Sequence, residues 1–153
     1  MTIIKLKQMF KDIADKHEMI NDYGFGPSYE IGANKPMIYT FVWVELIDSS
    51  LLMGEPGNGL LTQQYRFYLY CLDKVIKGDD NYLDTTSKCD YILKTFIAQL
   101  DQNETYIEMG MRIDGDVLFE PVYEQTEDIA NGFQATLTLR MPMRYNPCNS
   151  PIN

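Results

Sequence analysis

The segment Met37–Ile47 constrains the fold more than any other part of the chain. Its sequence, MIYTFVWVELI, is rich in β-branched and aromatic residues, and both of its alternating faces are apolar apart from Thr40 and Glu45. This pattern is typical of a central strand that is covered on both faces. We therefore expect the chain's own helices to cover one face, with a partner as a candidate cover for the other.

Alternation with a period of two predicts the other strands. The clearest is Phe133–Arg144, where apolar residues alternate with Gln, Thr and Arg, and Thr62–Leu72 has one apolar face and one mixed aromatic and basic face. Two shorter strands are predicted on either side of a tight turn at 114–116, namely Ile107–Ile113 and Val117–Tyr123. The second carries Pro121 and is expected at a sheet edge.

Apolar residues spaced by three and four predict two amphipathic helices. The first begins at Thr2 and runs for about five turns, and the second begins at Asp84 or Thr85 and reaches Leu100. Glycine and proline mark the segment 21–36 as a loop and Gly54–Gly59 as a protruding tip. The 153 residues are thus predicted to form one α+β domain, a largely antiparallel four- to five-stranded sheet with two helices packed on one face.

Charge excludes several classes of partner. Thirteen Lys and Arg residues against 22 Asp and Glu give a net charge of −9, the wrong sign for gripping nucleic acid or anionic lipid. No apolar run approaches the roughly 18 residues of a membrane span. The N-terminal segment has no signal-peptide pattern, and the three cysteines have no zinc-site spacing, so we expect a reducing compartment and no membrane.

Motifs for chemistry are weak throughout the chain. His17 is the only histidine, and its place on an apolar helix stripe favours a packing role. Gly24-Phe25-Gly26 lacks the third glycine of a dinucleotide site, and Asp114-Gly115-Asp116 lacks the further ligands of a calcium loop. Near Cys148 the sequence has no basic residue other than Arg144 and no helix start, so a reactive thiol is not expected there. We expect no enzyme activity, no cofactor and no metal.

Acidic residues are concentrated after the second helix. Asp114–Asp128 holds six acids, and no Lys or Arg occurs from Ile113 through Leu139. Such a segment ordinarily keeps a protein soluble. Around a channel it would repel a polyanion, so that DNA could slide past without sticking.

The element order and several segments resemble neck and tail-completion proteins of tailed bacteriophages, especially those that infect Bacteroides-like hosts. The segments are the opening helix, NDYGFGPSYEIGAN, the strand PMIYTFVWVEL, the glycine-rich tip, the second helix and EQTEDIANGFQATLTLRMPMRYNPC. The last is the most characteristic, with Asp128, Gly132, Pro142 and Cys148 around an alternating strand.

The resemblance implies a structural protein of the virion, in the neck or at the end of the tail tube, assembled in the bacterial cytoplasm. Such proteins share a small α+β fold and form a ring, here of about six or twelve copies, that joins head to tail around the DNA path. The implied partners are further copies of the chain and neighbouring neck, portal-adaptor or tail-tube proteins, and DNA passes without specific binding.

The candidate positions follow from that role. The candidate interface residues are Phe25, Tyr29, Gly54, Glu55, Pro56, Gly57, Asn58, Gly59, Tyr68 and Tyr70. The candidate acids facing the lumen are Asp114, Asp116, Glu120 and Glu124. Two alternatives stay open: a monomeric protein-binding or assembly-chaperone module with an aromatic strand face, and a small hydrolase that would need a pocket of convergent polar groups.

Overall fold

The computed structural model describes residues 2–33, 35–54, 57, 60–75, 81–123, 130–144 and 148, and it has the predicted α+β class. The helices are α1 (Thr2–Lys16), α2 (Tyr82–Asp101) and α3 (Glu104–Glu108), with a 3₁₀ turn at Ser28–Glu30. The strands are β1 (Asp22–Phe25), β2 (Phe41–Met53), β3 (Leu60–Lys74), β4 (Arg112–Ile113), β5 (Leu118–Val122) and β6 (Ala130–Arg144).

The sheet is mixed and open, with β2, β3 and β6 as its long central strands. Its order is β1-β2-β3-β6-β4, and β5 also pairs with β6. All neighbours are antiparallel except β1 and β2, which run parallel. The short strands β4 and β5 follow one another along the same side of β6, opposite residues 139–140 and 132–136. The predicted edge position of the strand with Pro121 is confirmed.

The main core lies between one face of the sheet and the helices α1 and α2. Phe10 of α1 packs edge-on against Phe67 of β3, with ring centroids 5.1 Å apart, and stacks with Phe96 of α2 at 6.1 Å. All three rings are fully buried. Removing one such ring from a packed core costs about 3–5 kcal/mol, so this aromatic triad fixes both helices on the sheet.

Two predicted elements were wrong. The segment 21–36 is not wholly a loop, because Asp22–Phe25 forms β1 beside β2. The predicted strand Ile107–Ile113 is largely the short helix α3, and only Arg112–Ile113 extends along β6. The Asn103 side chain accepts a hydrogen bond of 3.2 Å from the backbone N–H of Tyr106, which caps α3. Among the described residues the sheet therefore has six strands, and three helices are present, whereas four or five strands and two helices were predicted.

Candidate functional site

The sheet face away from α1 and α2, the open face, carries polar and aromatic side chains. Across the strands one row holds Trp43, Tyr70, Gln134 and Glu120, and the next holds Glu45, Tyr68, Thr136 and Leu118. Tyr68 and Tyr70 are half-buried, with ring centroids 6.1 Å apart. These two predicted interface residues therefore lie together on the open face, as alternation on β3 requires.

Glu45 joins Tyr70 to the loop that follows β1. Its carboxylate accepts a hydrogen bond from the Tyr70 hydroxyl at 3.4 Å and another from the backbone N–H of Ser28. Burial, with Glu45 beside it, raises the pKa of Tyr70 to about 12. Tyr70 is therefore a neutral donor at physiological pH, held in place by the chain itself.

The loop that follows β1 supplies much of the second cover that Met37–Ile47 was predicted to need. The Trp43 indole lies under this loop and is buried. A second, smaller core forms here from Phe41, Trp43, Leu72, Val122 and Ala130, with Ile31, Met37, Tyr39 and Tyr70 packed against it. At these positions the cover comes from the same chain, and a partner is not needed.

Phe25 and Tyr29 differ in environment, although both were predicted at an interface. The Phe25 ring packs edge-on against Phe67 at 6.4 Å and belongs to the main core. Packing within the chain thus explains why an aromatic residue stands at position 25, without a partner protein. Tyr29, in the 3₁₀ turn, is exposed to solvent.

The predicted tip lies between the end of β2 at Met53 and the start of β3 at Leu60. Gly54 and Gly57 are exposed. Gly57 has a φ of +81°, a backbone conformation that residues other than glycine rarely adopt. The other candidate positions in the tip, Glu55, Pro56, Asn58 and Gly59, lie outside the described residues. Both strands are longer than predicted, since β2 continues to Met53 and β3 starts at Leu60.

Beside the tip, the apolar face of the sheet extends beyond the helices. Leu51 and Met53 continue the side of β2 that faces the helices, in register with Met141 and Met143 of β6 across β3. Met141 is buried in the main core, whereas Leu51, Met53 and Met143 are 44%, 74% and 37% exposed. We call Leu51, Met53 and Met143 the overhang.

The candidate lumen acids are less uniform than their sequence suggests. Asp114 forms an ion pair of 3.0 Å with Arg140 of β6. Arg140 follows directly after the segment from Ile113 through Leu139, which has no Lys or Arg. Asp116 and Glu120 are exposed. Glu124 lies outside the described residues. Asp114 is therefore compensated although the sequence from Ile113 through Leu139 contains no Lys or Arg, because pairing of β4 with β6 brings Arg140 close to it.

An aromatic groove lies between α2 and the edge strand β5. Its volume is about 530 Å³, within the range of pockets that bind ligands. We call it the α2–β5 groove; its apolar lining is Tyr82, Leu83, Phe119, Pro121, Tyr123 and Phe133. Tyr82 and Tyr123 have ring centroids 6.0 Å apart. The sequence reasoning missed this groove, although Tyr82 and Leu83 lie off the core stripe of α2 and could have drawn attention to it.

The groups with the greatest chemical potential are engaged in packing. Nδ1 of His17 accepts a hydrogen bond from the backbone N–H of Met19, and Nε2 lies 2.7 Å from Oγ1 of Thr95, as the predicted packing role requires. Cys71 and Cys89 are buried, and burial raises the pKa of the Cys71 thiol. Across the described residues, no cluster of three His, Cys, Asp or Glu side chains could hold a metal ion.

Comparison with known proteins adds no relative. No protein-family model matches the chain, and no curated protein sequence matches it. In the part of the chain that the structure describes, no helix has both the length and the apolar composition to cross a membrane. The surfaces described above are therefore the basis for a functional proposal, together with the sequence resemblance.

Proposed function

We propose that the chain is a structural protein of a tailed-phage virion. It forms a ring in the neck or at the end of the tail tube and joins head to tail around the DNA path. Its partners are further copies of itself and adjacent neck, portal-adaptor or tail-tube proteins. This role adds no catalytic step and no cofactor.

The overhang is the observation that carries this proposal. A Met side chain that is 74% exposed on the helix-facing side of a sheet leaves apolar area in contact with water. Covering a side chain of this size stabilises a contact by about 1.5–3 kcal/mol. Leu51, Met53 and Met143 lie on one side of the sheet, and an apolar patch of this kind, unlike a single exposed residue, is typical of a contact surface. A subunit of a ring obtains that cover from its neighbours.

The charge distribution suits a path for DNA. Asp116 and Glu120 are exposed acids, and the chain as a whole has a net charge of −9. Acidic groups along a channel repel the phosphate backbone, so that DNA passes without binding. We assign this role to Asp116 and Glu120, because Arg140 compensates Asp114.

A second candidate function is a monomeric protein-binding module, including an assembly chaperone. The α2–β5 groove favours it, because the groove runs beside an edge strand and is lined with aromatic side chains. Edge strands can accept an extended peptide as an additional strand. Such a module would be absent from the mature particle, which separates the two functions.

Interrupting the gene in the phage that encodes the chain tests the proposal. The expected result is DNA-filled heads and complete but separate tails in electron micrographs of lysates, with joining restored when the intact chain is supplied. Mass spectrometry of purified particles should find the chain. If joined particles form without the gene, or if purified particles lack the chain, the proposed function fails.

A further inference from the structure

We infer that the overhang of one copy inserts into the α2–β5 groove of a second copy of this chain. The inference rests on the proposed function, because it specifies how neighbouring subunits of the ring meet. The contact joins two unlike surfaces, and it can be tested apart from the role in the virion.

The two surfaces lie at opposite ends of β6. Phe133 of the groove and Met143 of the overhang are near the first and last residues of that strand. Ten residues of extended chain separate them by about 33 Å. A contact between unlike ends of two copies is heterologous, and such contacts close into a ring when the rotation between copies divides a circle.

The two surfaces also fit in shape and chemistry. The overhang is a ridge of one leucine and two methionines, whereas the groove is concave and mainly aromatic. Methionine sulfur packs favourably against aromatic rings, and its unbranched side chain adapts to an irregular site. The groove volume of about 530 Å³ is within the range of sites that bind ligands.

Charge does not oppose a contact between these two surfaces. Two copies with a net charge of −9 each repel one another, so a contact between them is best placed where local charge is compensated. In the groove, Nζ of Lys94 lies 2.8 Å from the Asp90 carboxylate and 5.3 Å from the centre of the Phe119 ring. The overhang itself carries no ionisable group.

Cysteine cross-linking between two variants tests the contact. Met53→Cys and Leu83→Cys are each made in the full chain with Cys148→Ser, which removes the exposed thiol, while Cys71 and Cys89 remain buried. The two proteins are oxidised with copper–phenanthroline, separately and mixed. The chain concentration is about 1 mM, which populates even a contact of millimolar affinity. We expect a disulfide-linked dimer in the mixture and only traces in either protein alone.

A matched control replaces Leu83→Cys with Ile4→Cys, since Leu83 and Ile4 are 67% and 62% exposed. This protein should not cross-link to Met53→Cys. The inference is overturned if Met53→Cys links mainly to itself, if the control links as well as Leu83→Cys, or if the mixture gives no specific dimer. It is also overturned if Leu83→Cys in infected cells links to a different protein and never to Met53→Cys.

The role in the virion is tested separately, by mass spectrometry of purified particles. Specific cross-links with the chain absent from particles would retain the contact and reject the proposed function. The chain present at the head–tail junction without cross-links would retain the function and reject the contact.

Discussion

The indole Nε1 of Trp43 donates a hydrogen bond of 2.8 Å to the carbonyl oxygen of Gly26. The same indole lies against Gly24, where an added Cβ would come within 2.2 Å of the ring. This fixes the loop after β1 to the open face. It also explains why a strand that is apolar on both faces occurs in a sheet whose described helices pack on one side.

Trp43→Phe should release this loop. The variant loses the hydrogen bond to Gly26, which contributes about 1 kcal/mol, and leaves a gap in the second core. The Gly26 amide donates a hydrogen bond of 2.9 Å to the carbonyl oxygen of Val44. Release of the loop should weaken this bond, so hydrogen exchange of the Gly26 amide should become faster, while the amides of β3 and β6 remain protected. Tyr29→Phe, an exposed change in the same loop, is the control and should leave the exchange unaltered. Unchanged exchange at Gly26 in Trp43→Phe would contradict the assigned contact.

Gly132→Ala should destabilise the fold severely. A Cβ at Gly132 would lie 1.8 Å from the carbonyl oxygen of Cys71, which is backbone of the neighbouring strand and cannot rotate away. We expect a loss of about 3 kcal/mol or more in the free energy of unfolding, measured by urea denaturation.

Gly115→Ala is the comparison for that change. Its Cβ meets no atom within 4 Å, and only its φ of +66° opposes the substitution, at a cost of about 1–2 kcal/mol. If the two alanine variants lose equal stability, the close approach of β3 and β6 at Gly132 is misplaced.

His17 should make stability depend on pH in a defined direction. Burial lowers the pKa of His17 below its usual 6.5, with a smaller opposing effect from Glu18. The unfolded chain therefore binds the proton at a higher pH than the folded chain. Stability from this group is complete above pH 6.5 and decreases as the pH falls below that value.

The variant His17→Gln isolates this effect. Between pH 7 and 5 the free energy of unfolding should fall more steeply in the natural chain than in His17→Gln, since the carboxyl groups titrate alike in both. An NMR titration of the imidazole should give a pKa below 6.5. A pKa above 6.5, or equal slopes in both proteins, would contradict the buried, neutral imidazole.

Met53→Asp and Leu83→Asp should each weaken association between copies by at least about tenfold, since covering one such side chain contributes about 1.5–3 kcal/mol. Both positions are exposed, and Leu83 lies in the first turn of α2, where aspartate suits the helix dipole, so the fold should persist. Sedimentation equilibrium measures the effect.

Mixing these two variants gives a sharper result. Each is defective on one surface only, so a mixture retains one intact contact between unlike chains and should form dimers that extend no further. Ile4→Asp, with similar exposure, should associate like the natural chain. A mixture that stays monomeric while the natural chain assembles would count against the contact.

Local pattern predicted the long central elements well. The alternation along Phe133–Arg144 is a property of the strand itself, and the buried residues Ala135, Leu137, Leu139 and Met141 fall on the predicted face. The same rule failed at α3. There Ile107 and Met109 alternate like a strand, whereas the Asn103 cap, which favours a helix, depends on hydrogen-bond geometry.

The candidate site was harder to predict, because it depends on which elements meet. The pairing of β1 beside β2 and the Asp114–Arg140 ion pair join residues that are distant in sequence. The overhang exists because β2, β3 and β6 extend beyond the ends of α1 and α2. This difference in length cannot be seen from the sequence pattern of any one element. The predicted tip was close to this surface, and the exposed apolar residues lie on the strands beside it.

The mass of the purified full chain, with electron micrographs of the same sample, tests the central claim most directly. A structural subunit of the head–tail junction should form closed rings of uniform size, with matching density at the junction of purified particles. A chain that remains monomeric up to millimolar concentration and is absent from particles would contradict the proposed function.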